Sequence, residues 1–232
     1  SERLLEAAVR RVRDFPDALA WAAPSRSTQD NKSRLATYRG KHAGQRCFIL
    51  ANGPSLARMD LSPLRNEITF GMNRIYLLFD SLPFIPDYYV CSNELVLEQF
   101  AEDIDKLPMT KFLNWNRRSL FRHGNDRTMF VRIALVLTDF FGKVPTSPIS
   151  SGGTVTFVAL QLAYFMGFSE VILVGLDHSF VESGRPNKTE VRVAERDESH
   201  FHPNYFPQGS KWQLPDLLRS ECAYSLAKAA FE

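Results

Sequence analysis

Short apolar runs alternate with polar or helical stretches along most of the chain. Runs of this length that are almost wholly apolar are typical of strands buried on both faces, which occur in parallel sheets covered by helices. We therefore predict an α/β fold with a Rossmann-like, mostly parallel sheet flanked by helices. Its strands are expected in CFILA, EITFGMN, DYYVCSN, KFLNW, TMFVRI and VILVGL.

The first residues have a helical pattern. Apolar residues recur three and four positions apart over residues 2–22, with Arg10, Arg11 and Arg13 off the apolar stripe, which predicts an amphipathic helix packed against the domain. Such a basic helix can also lie on an anionic membrane surface, and that alternative stays open. We interpret the polar stretch 24–34 as a linker. Residues 1–37 then form an N-terminal helix and linker, and residues 38–232 form the nucleotide-binding catalytic domain.

Residues 181–215 are mostly polar, contain four prolines and lack periodicity. A long irregular stretch inside a compact domain is often a lid over an active site. We therefore predict a histidine-containing lid there. The chain ends within the helical pattern SECAYSLAKAAFE, and we expect the protein to continue beyond it.

Composition excludes several classes of protein. Lys and Arg together outnumber Asp and Glu by only two, for a net charge of +2, which is too weak a field to hold nucleic acid through its phosphates. Three cysteines at no metal-like spacing favour a reducing, cytoplasmic location. No apolar run approaches the roughly 20 residues that span a bilayer, so association with the inner face of the membrane would be peripheral. The sequence does not predict an oligomeric state.

A buried helix with glycines before it is a candidate phosphate site. The segment SSGGTVTFVALQLAYFM is apolar on nearly every helical face, so the helix from about Thr154 should be buried, and its unpaired N–H groups need partners. A phosphate satisfies them where glycines let it approach the backbone. A simple serine cap is the structural alternative. The candidate residues are Ser151, Gly152, Gly153 and Thr154, with Asp177 at the end of the following strand.

Three predicted strands end in turns that contain asparagine. The first is followed by Asn52, Gly53, Pro54 and Ser55, the second by Asn73 and Arg74, and the third by Asn93. Ligands of open α/β sheets bind at the carboxyl ends of strands, where an amide can contact a base or sugar and an arginine can pair with a phosphate. Asparagine is also a common turn residue, so each position has a purely structural explanation.

The stretch ESHFHPNYF supplies the candidate catalytic residues His200, His202 and Tyr205. A neutral imidazole in a lid can take a proton from an acceptor hydroxyl. The two histidines could instead ligate a metal, but no third ligand is evident. The chain has neither a P-loop nor a G-x-G-x-x-G fingerprint, and we predict no metal site.

The motifs ANGPSL, GMNRIY, SSGGTVTFVALQLAYFMGFSEVILVGLDHSF and SHFHPNYF resemble, in that order, two related families. One comprises bacterial sialyltransferases that use CMP-sialic acid. The other comprises domains similar to the archaeal 6-hydroxymethylpterin pyrophosphokinase. The resemblance extends over about 40–231.

The resemblance to the sialyltransferases implies cytidine-nucleotide contacts for Asn52, Gly53, Ser55 and Asn73, and nucleotide contacts for Ser151 and Gly152. It also implies that His200, in a Ser-His-aromatic motif, is the general base and that no metal cofactor is required. Two phosphate-contacting tyrosines of that family have no secure counterpart in this chain. Tyr205 is the candidate for one of them.

Three functions remain open at this point. The first is a glycosyltransferase that moves a sugar from a nucleotide-activated donor, expected to be CMP-linked, to a glycan or protein acceptor. The second is transfer of diphosphate from ATP to a hydroxymethyl group with Mg²⁺, for which Asp177 with Asp87 or Glu94 could supply carboxylates. The third is a nucleotide-binding module without catalysis.

Overall fold

The computed structural model describes residues 2–121, 126–181, 184–193 and 195–232, and side chains in the first helix from residue 8 onward. The main sheet consists of β1 (Arg46–Leu50), β2 (Ile68–Met72), β3 (Tyr88–Cys91), β4 (Thr110–Asn114), β5 (Thr128–Val131) and β6 (Glu170–Val174). The helices are α1 (Glu2–Ala22), α2 (Arg26–Ala36), α3 (Glu94–Asp105), α4 (Val155–Met166) and α5 (Leu217–Phe231). Short 3₁₀ turns follow β1, β2 and β4.

The main sheet confirms the predicted α/β fold. Within the described residues it has six strands in the order β5-β4-β3-β2-β1-β6, and every neighbouring pair is parallel. Each of the apolar runs predicted as a strand is one. From β1 the chain adds β2 to β5 on one side of the sheet and β6 on the other. The boundary between β1 and β6 is therefore a topological switch point, which opens a crevice at the carboxyl ends of the strands.

Helices cover both faces of the sheet. On one face α4 is buried at most of its positions and packs on β1, β2 and β3, with α5 against it. Gly167 ends α4 in the left-handed conformation, with φ of 86°. On the other face, buried residues of α3 pack with aromatic residues from 201–212. The carboxyl edge between these layers is where the strand-ending turns meet.

Helix α2 corrects the linker interpretation of residues 24–34. Ser25 caps α2, and its side chain accepts a hydrogen bond from the backbone N–H of Thr28. The buried Asn31 donates to the carbonyl of Phe130 at 2.9 Å and accepts from the Phe130 N–H at 2.8 Å. Asn31 therefore pairs with β5 at the sheet edge as an additional strand would, and the segment is an integral part of the fold.

Helix α1 forms as predicted, but its orientation differs from the expected one. The apolar residues Val12, Phe15 and Leu19 are 74%, 65% and 60% exposed. The opposite face contacts the domain instead, since its Trp21 is buried in the core, Asp14 pairs with the buried Arg132 and Asp17 pairs with Arg118. Helix α1 therefore packs against the domain as predicted, but not through its apolar stripe. The predicted apolar stripe also includes Leu4 and Leu5, whose side chains are outside the described part of the helix.

The predicted lid, residues 181–215, lies over the carboxyl edge of the sheet. It contains a two-stranded antiparallel pair, β7 (Thr189–Val191) and β8 (Lys211–Gln213). Its Phe201, Tyr205 and Trp212 are buried in the core on the α3 side. Residues 182, 183 and 194 of the predicted lid lie outside the described residues. Among the helices that the structure describes, none has the length and apolar character needed to cross a bilayer.

Candidate functional site

A cavity of about 150 Å³ lies at the switch point between β1 and β6. Its walls come from the turns after β1, β2 and β6, the start of α4, the lid and the start of α5. The candidate residues that line it are Asn52, Gly53, Asn73, Gly153, Thr154, Asp177, His200 and Tyr205. Six other candidates are not part of its wall: Pro54, Ser55, Arg74, Asn93, Ser151 and Gly152. His202 is not part of the wall either.

The Asn-Gly-Pro-Ser turn is held by β6. The Gly53 N–H donates to the Gly175 carbonyl at 3.0 Å, and the Ser55 N–H donates to Oδ2 of Asp177 at 2.9 Å. A Cβ on Gly53 would lie 1.9 Å from that same Oδ2, so this position requires glycine. Asp177 thus fixes the turn, while Pro54 begins a 3₁₀ turn and does not line the cavity.

Two amide side chains at the cavity have unpaired oxygens. The Oδ1 atoms of Asn52 and Asn73 are buried and have no hydrogen-bond partner among the described residues. Asn73 has a positive φ of 47°, a conformation that asparagine tolerates better than most residues. A buried unpaired acceptor costs about 1–3 kcal/mol. These two oxygens are therefore candidate acceptors for the amino or hydroxyl groups of a ligand.

Arg74 binds the lid. Its guanidinium donates to the carbonyls of Asn204, at 2.9 Å, and Tyr205, and it stacks over the ring of Phe100 at 3.9 Å. Its backbone N–H donates to the Tyr205 hydroxyl at 3.3 Å. Arg74 therefore joins the turn after β2 to the lid. Asn93 has a comparable structural position, since its side chain caps α3.

The start of α4 lies on the cavity together with the first turn. Thr154 caps the helix by accepting from the Thr156 N–H at 3.3 Å. Gly152 and Gly153 both have positive φ, 55° and 74°, and a Cβ on Gly152 would lie 2.5 Å from the Phe157 ring. The glycines let the backbone turn tightly into the helix, which directs its N–H groups and positive dipole end toward the cavity.

Behind the glycines lies an ion pair that the sequence reasoning missed. Arg219 of α5 donates to Oδ2 and Oδ1 of Asp139 at 2.7 and 2.9 Å, and to the Ser151 hydroxyl at 3.2 Å. Asp139 also accepts from the Ser150 hydroxyl and from the Gly152 N–H at 3.2 Å. The hydrogen bond from Arg219 is the main reason that the pKa of Asp139 is lowered. Ser151 and Gly152 thus belong to the support of the glycine turn.

His200 combines cavity access with a buried carboxylate partner. Its Nδ1 lies 3.0 Å from both Oδ1 and Oδ2 of Asp197. The imidazole stacks on the Tyr205 ring with centroids 4.0 Å apart and an interplanar angle of 1°. Asp197 is fully buried and also accepts from the backbone N–H groups of Ser199 and His200.

The charge state of Asp197 follows from its neighbours. Burial raises the pKa of this carboxyl, but the hydrogen bond and charge of His200 and the charge of Arg192, 3.8 Å away, outweigh burial and lower the pKa overall. The carboxylate is ionised at neutral pH and holds the Nδ1 proton. Nε2 is then the ring nitrogen that can accept a proton. Burial raises the pKa of the stacked Tyr205 hydroxyl, so Tyr205 remains a neutral phenol.

The described residues do not fit a protein-held Mg²⁺ site. Asp177 lies at the cavity, but its Oδ2 is occupied by the Ser55 N–H. Asp87 accepts from Thr69 at the opposite edge of the sheet, and Glu94 pairs with Arg117. Nowhere in the described part of the chain do three His, Cys, Asp or Glu side chains form a group that could hold a metal ion. His202 accepts from the Asn204 N–H at 3.1 Å and does not join His200 at the cavity.

Some residues of the site were not predicted from the sequence, and they differ in whether a sequence pattern could have indicated them. Asp197 lies three positions before His200, so the spacing D-x-x-H in the lid could have indicated the pair. Arg219 is 80 positions from Asp139, and no local pattern connects them. Tyr224, which lines the cavity together with Thr154 and Thr156 at the start of α4, has no sequence signal either.

Comparison with known proteins adds one match. Residues 25–183 match a family model described as 6-hydroxymethylpterin diphosphokinase MptE-like, which is more than half of the chain. Neither a curated protein nor a solved structure matches the chain. The matched stretch includes the asparagine turns, the start of α4 and Asp177. It ends before the Asp197–His200 pair.

Proposed function

The chain belongs to the 6-hydroxymethylpterin diphosphokinase MptE-like family, and from that premise we propose that it is a transferase that moves a group from a nucleotide donor to an acceptor hydroxyl. One observation carries the proposal. The imidazole of His200 lines the same cavity as the start of α4, while its Nδ1 is held by the buried carboxylate of Asp197. This arrangement pairs a general base with a site for the donor phosphate.

The proposed reaction uses each wall of the cavity. Asn52 and Asn73 bind the polar edges of the nucleoside through their unpaired oxygens. The N–H groups and dipole of α4, beginning at Thr154, stabilise the phosphate as it takes up negative charge. Nε2 of His200 accepts the proton of the acceptor hydroxyl as that oxygen attacks. Asp197 stabilises the imidazolium that forms, as the carboxylate of a catalytic triad does.

We propose a CMP-linked sugar as the donor. In this reaction the acceptor oxygen bonds to the anomeric carbon, the bond from that carbon to the phosphate oxygen breaks, and CMP leaves with the electron pair. A monophosphate leaving group can be stabilised by a helix start without a metal. The Asp177 carboxylate on the cavity wall already accepts a hydrogen bond from the Ser55 N–H. This arrangement favours such a metal-independent reaction.

Diphosphate transfer from ATP is the second candidate, and the description of the family favours it. The acceptor oxygen would bond to the β-phosphorus of ATP, the bond from that phosphorus to the bridging oxygen would break and AMP would leave. His200 would again take the proton of the acceptor hydroxyl, so the role of the base is common to both reactions. The donor would bring more negative charge than a CMP-sugar does. Mg²⁺ normally neutralises such charge, but the described residues do not supply a set of ligands for it.

The two candidates are distinguished by thermal denaturation with CMP, CDP, UDP, GDP or ATP, each with Mg²⁺ and with EDTA. We expect CMP to raise the melting temperature equally in both conditions, because the nucleotide contacts come from amides and backbone N–H groups. A rise with ATP that requires Mg²⁺ would favour diphosphate transfer instead. No rise with any nucleotide would contradict both.

The base is tested by His200→Ala, with His202→Ala as the matched control outside the cavity wall. We expect His200→Ala to lower kcat about 10²- to 10⁴-fold and to keep the CMP-induced rise in melting temperature. His202→Ala should retain both. Loss of nucleotide binding in His200→Ala would contradict its assignment as the base and indicate a structural role in the lid.

A further inference from the structure

His178 is a second histidine on the wall of the cavity, and the reaction proposed above gives it no role. It follows Asp177 directly, after the end of β6, and its φ of 51° lies in the left-handed region, which histidine adopts more readily than most residues. Its side chain is 25% exposed. A polar, titratable side chain at a cavity of this kind is a candidate for contact with a ligand.

The imidazole of His178 is held by α5. Its Nε2 lies 3.2 Å from Oε1 of Glu221, and its ring meets the Tyr224 ring edge-on, with centroids 5.9 Å apart. Tyr224 lines the cavity together with Thr154 and Thr156. His178 therefore belongs to the side of the cavity that α4 and α5 form, where the donor phosphate binds in the proposed reaction.

The pairing with Glu221 leaves one ring nitrogen of His178 for a ligand. A carboxylate only accepts hydrogen bonds, so Nε2 carries a proton. Nδ1 has no hydrogen-bond partner within the described residues. In a neutral imidazole this nitrogen is an acceptor and would repel a phosphate oxygen. In the imidazolium it is a donor and forms a charge-assisted hydrogen bond with the phosphate.

The other titratable side chains of the cavity wall do not offer a proton to a phosphate. Burial raises the pKa of the Tyr205 and Tyr224 hydroxyls, so both remain neutral phenols. Asp177 carries a carboxylate, which repels a phosphate. His200 is the proposed base and receives its proton from the acceptor. Among the described residues of the wall, His178 is thus the group suited to act as an acid.

We propose that His178 is the general acid of the same reaction, with Glu221 as the positioning residue that stabilises its imidazolium. The Nδ1–H donates to the donor phosphate and passes its proton to the phosphate oxygen as the bond to the anomeric carbon breaks. His200 takes the proton of the acceptor hydroxyl in the same step. Water then accepts the proton from His200 and supplies one to His178. This inference rests on the proposed function and adds that a bound phosphate is accompanied by a proton.

Titration calorimetry with CMP tests this protonation without measuring activity. Heats of binding at pH 7 are compared in PIPES and in Tris, which differ in ionisation enthalpy, so that the difference reports the protons taken up. We expect the wild type to take up more protons per CMP than His178→Asn, by up to about one. It should also bind CMP about 10- to 100-fold more tightly.

Asparagine is the replacement of choice because it tolerates a positive φ. We therefore expect His178→Asn to keep the melting temperature that the wild type has without nucleotide. The matched control is His202→Asn, outside the cavity wall, which should bind CMP with the wild-type affinity and proton uptake. Glu221→Gln, at an exposed position, provides a second variant that leaves the turn after β6 unchanged, and its proton uptake at pH 7 should be lower than that of the wild type.

The pH dependence of kcat separates the acid from the base. A general acid must be protonated and a general base unprotonated, so they produce the alkaline and acidic limbs of a bell-shaped profile. We expect His178→Asn to lower kcat about 10²- to 10⁴-fold and to remove the alkaline limb, whereas His200→Ala should remove the acidic one. Glu221→Gln should move the alkaline limb to lower pH, because an amide does not stabilise the imidazolium.

Three outcomes would overturn this inference and leave the proposed function intact. The first is equal proton uptake on CMP binding in the wild type and His178→Asn. The second is equal proton uptake in the wild type and Glu221→Gln, and the third is an alkaline limb that persists in His178→Asn. Absence of CMP binding to the wild type would instead overturn the CMP-linked donor itself, and the role of His178 with it.

Discussion

Nδ1 of His200 lies 3.0 Å from both carboxylate oxygens of Asp197. The pair connects two parts of the lid, the turn at 197–200 and the aromatic cluster around Tyr205. It fixes both the tautomer and the plane of the imidazole, since the ring is also stacked on Tyr205. A base that is already oriented does not lose rotamer entropy in the transition state.

Asp197→Asn should lower kcat by about 10²-fold or more and leave the KM for the donor nearly unchanged. An amide still occupies the site, but it cannot stabilise the imidazolium and does not select the tautomer that has Nε2 free. Steady-state kinetics with the donor that thermal denaturation identifies provide the measurement. Asp197→Glu should recover part of the rate, whereas equal losses in both variants, with a lower melting temperature, would mean that Asp197 serves only to fold the lid.

Asp139→Asn should lower the free energy of unfolding by about 1–3 kcal/mol at pH 7, because it removes a charged hydrogen-bond acceptor of Arg219. The pKa of Asp139 is lower in the folded protein than in the unfolded chain. Its stabilisation is therefore complete above about pH 4, the ordinary pKa of Asp, and is lost as the pH falls through the folded value.

Urea unfolding of the wild type and Asp139→Asn at pH 7 and at pH 3 measures this difference. The gap between the two proteins should shrink at the lower pH. Asp80→Asn, at an exposed position, is the control and should show little difference at either pH. A gap that stays constant with pH would contradict the ion pair.

Gly53→Ala should distort the turn after β1, because its Cβ would lie 1.9 Å from Oδ2 of Asp177. We expect a loss of about 1–3 kcal/mol in the free energy of unfolding and a loss of the CMP-induced thermal shift. In an Asp177→Ala background the added cost of Gly53→Ala should be smaller, since one of the clashing groups is absent. Additive effects of the two substitutions would contradict this contact.

Asn31→Ala should lower the free energy of unfolding by about 1–3 kcal/mol, because it leaves the part-buried N–H and carbonyl of Phe130 without these partners. Gln29→Ala, at an exposed position of the same helix, is the matched control and should be nearly neutral. Equal stability of both variants would indicate that residues 24–34 behave as the linker suggested by their composition.

The sequence was sufficient to predict the elements that consist mostly of apolar residues. The strands and α4 could be predicted because most residues of β1–β5 and α4 are buried and those of β6 are largely half-buried, and burial on both faces leaves a continuous apolar run. Helix α2 could not, because it buries only Thr28, Asn31 and Leu35. Its stability depends on packing and on the paired backbone of β5, which no local pattern reveals.

The orientation of α1 shows a different limit. Periodicity locates an apolar stripe, but it does not say whether that stripe contacts the domain or an external partner. Here the opposite face packs on the domain, where Trp21 is buried and Asp14 and Asp17 pair with Arg132 and Arg118. In the site, the same limit applies to Arg219, whose partner Asp139 is far away in the chain.

The contacts of Arg74 also have a mechanical consequence. Its N–H binds the Tyr205 hydroxyl, and the Tyr205 ring supports the imidazole of His200. Asn73, the residue before Arg74, lies on the cavity wall. In the reaction we propose, a donor that moved Asn73 would also shift the support of the His200 imidazole, which would couple the two halves of the cavity. Such a coupling is reciprocal, so an acceptor bound at His200 would change the affinity for the donor by the same factor.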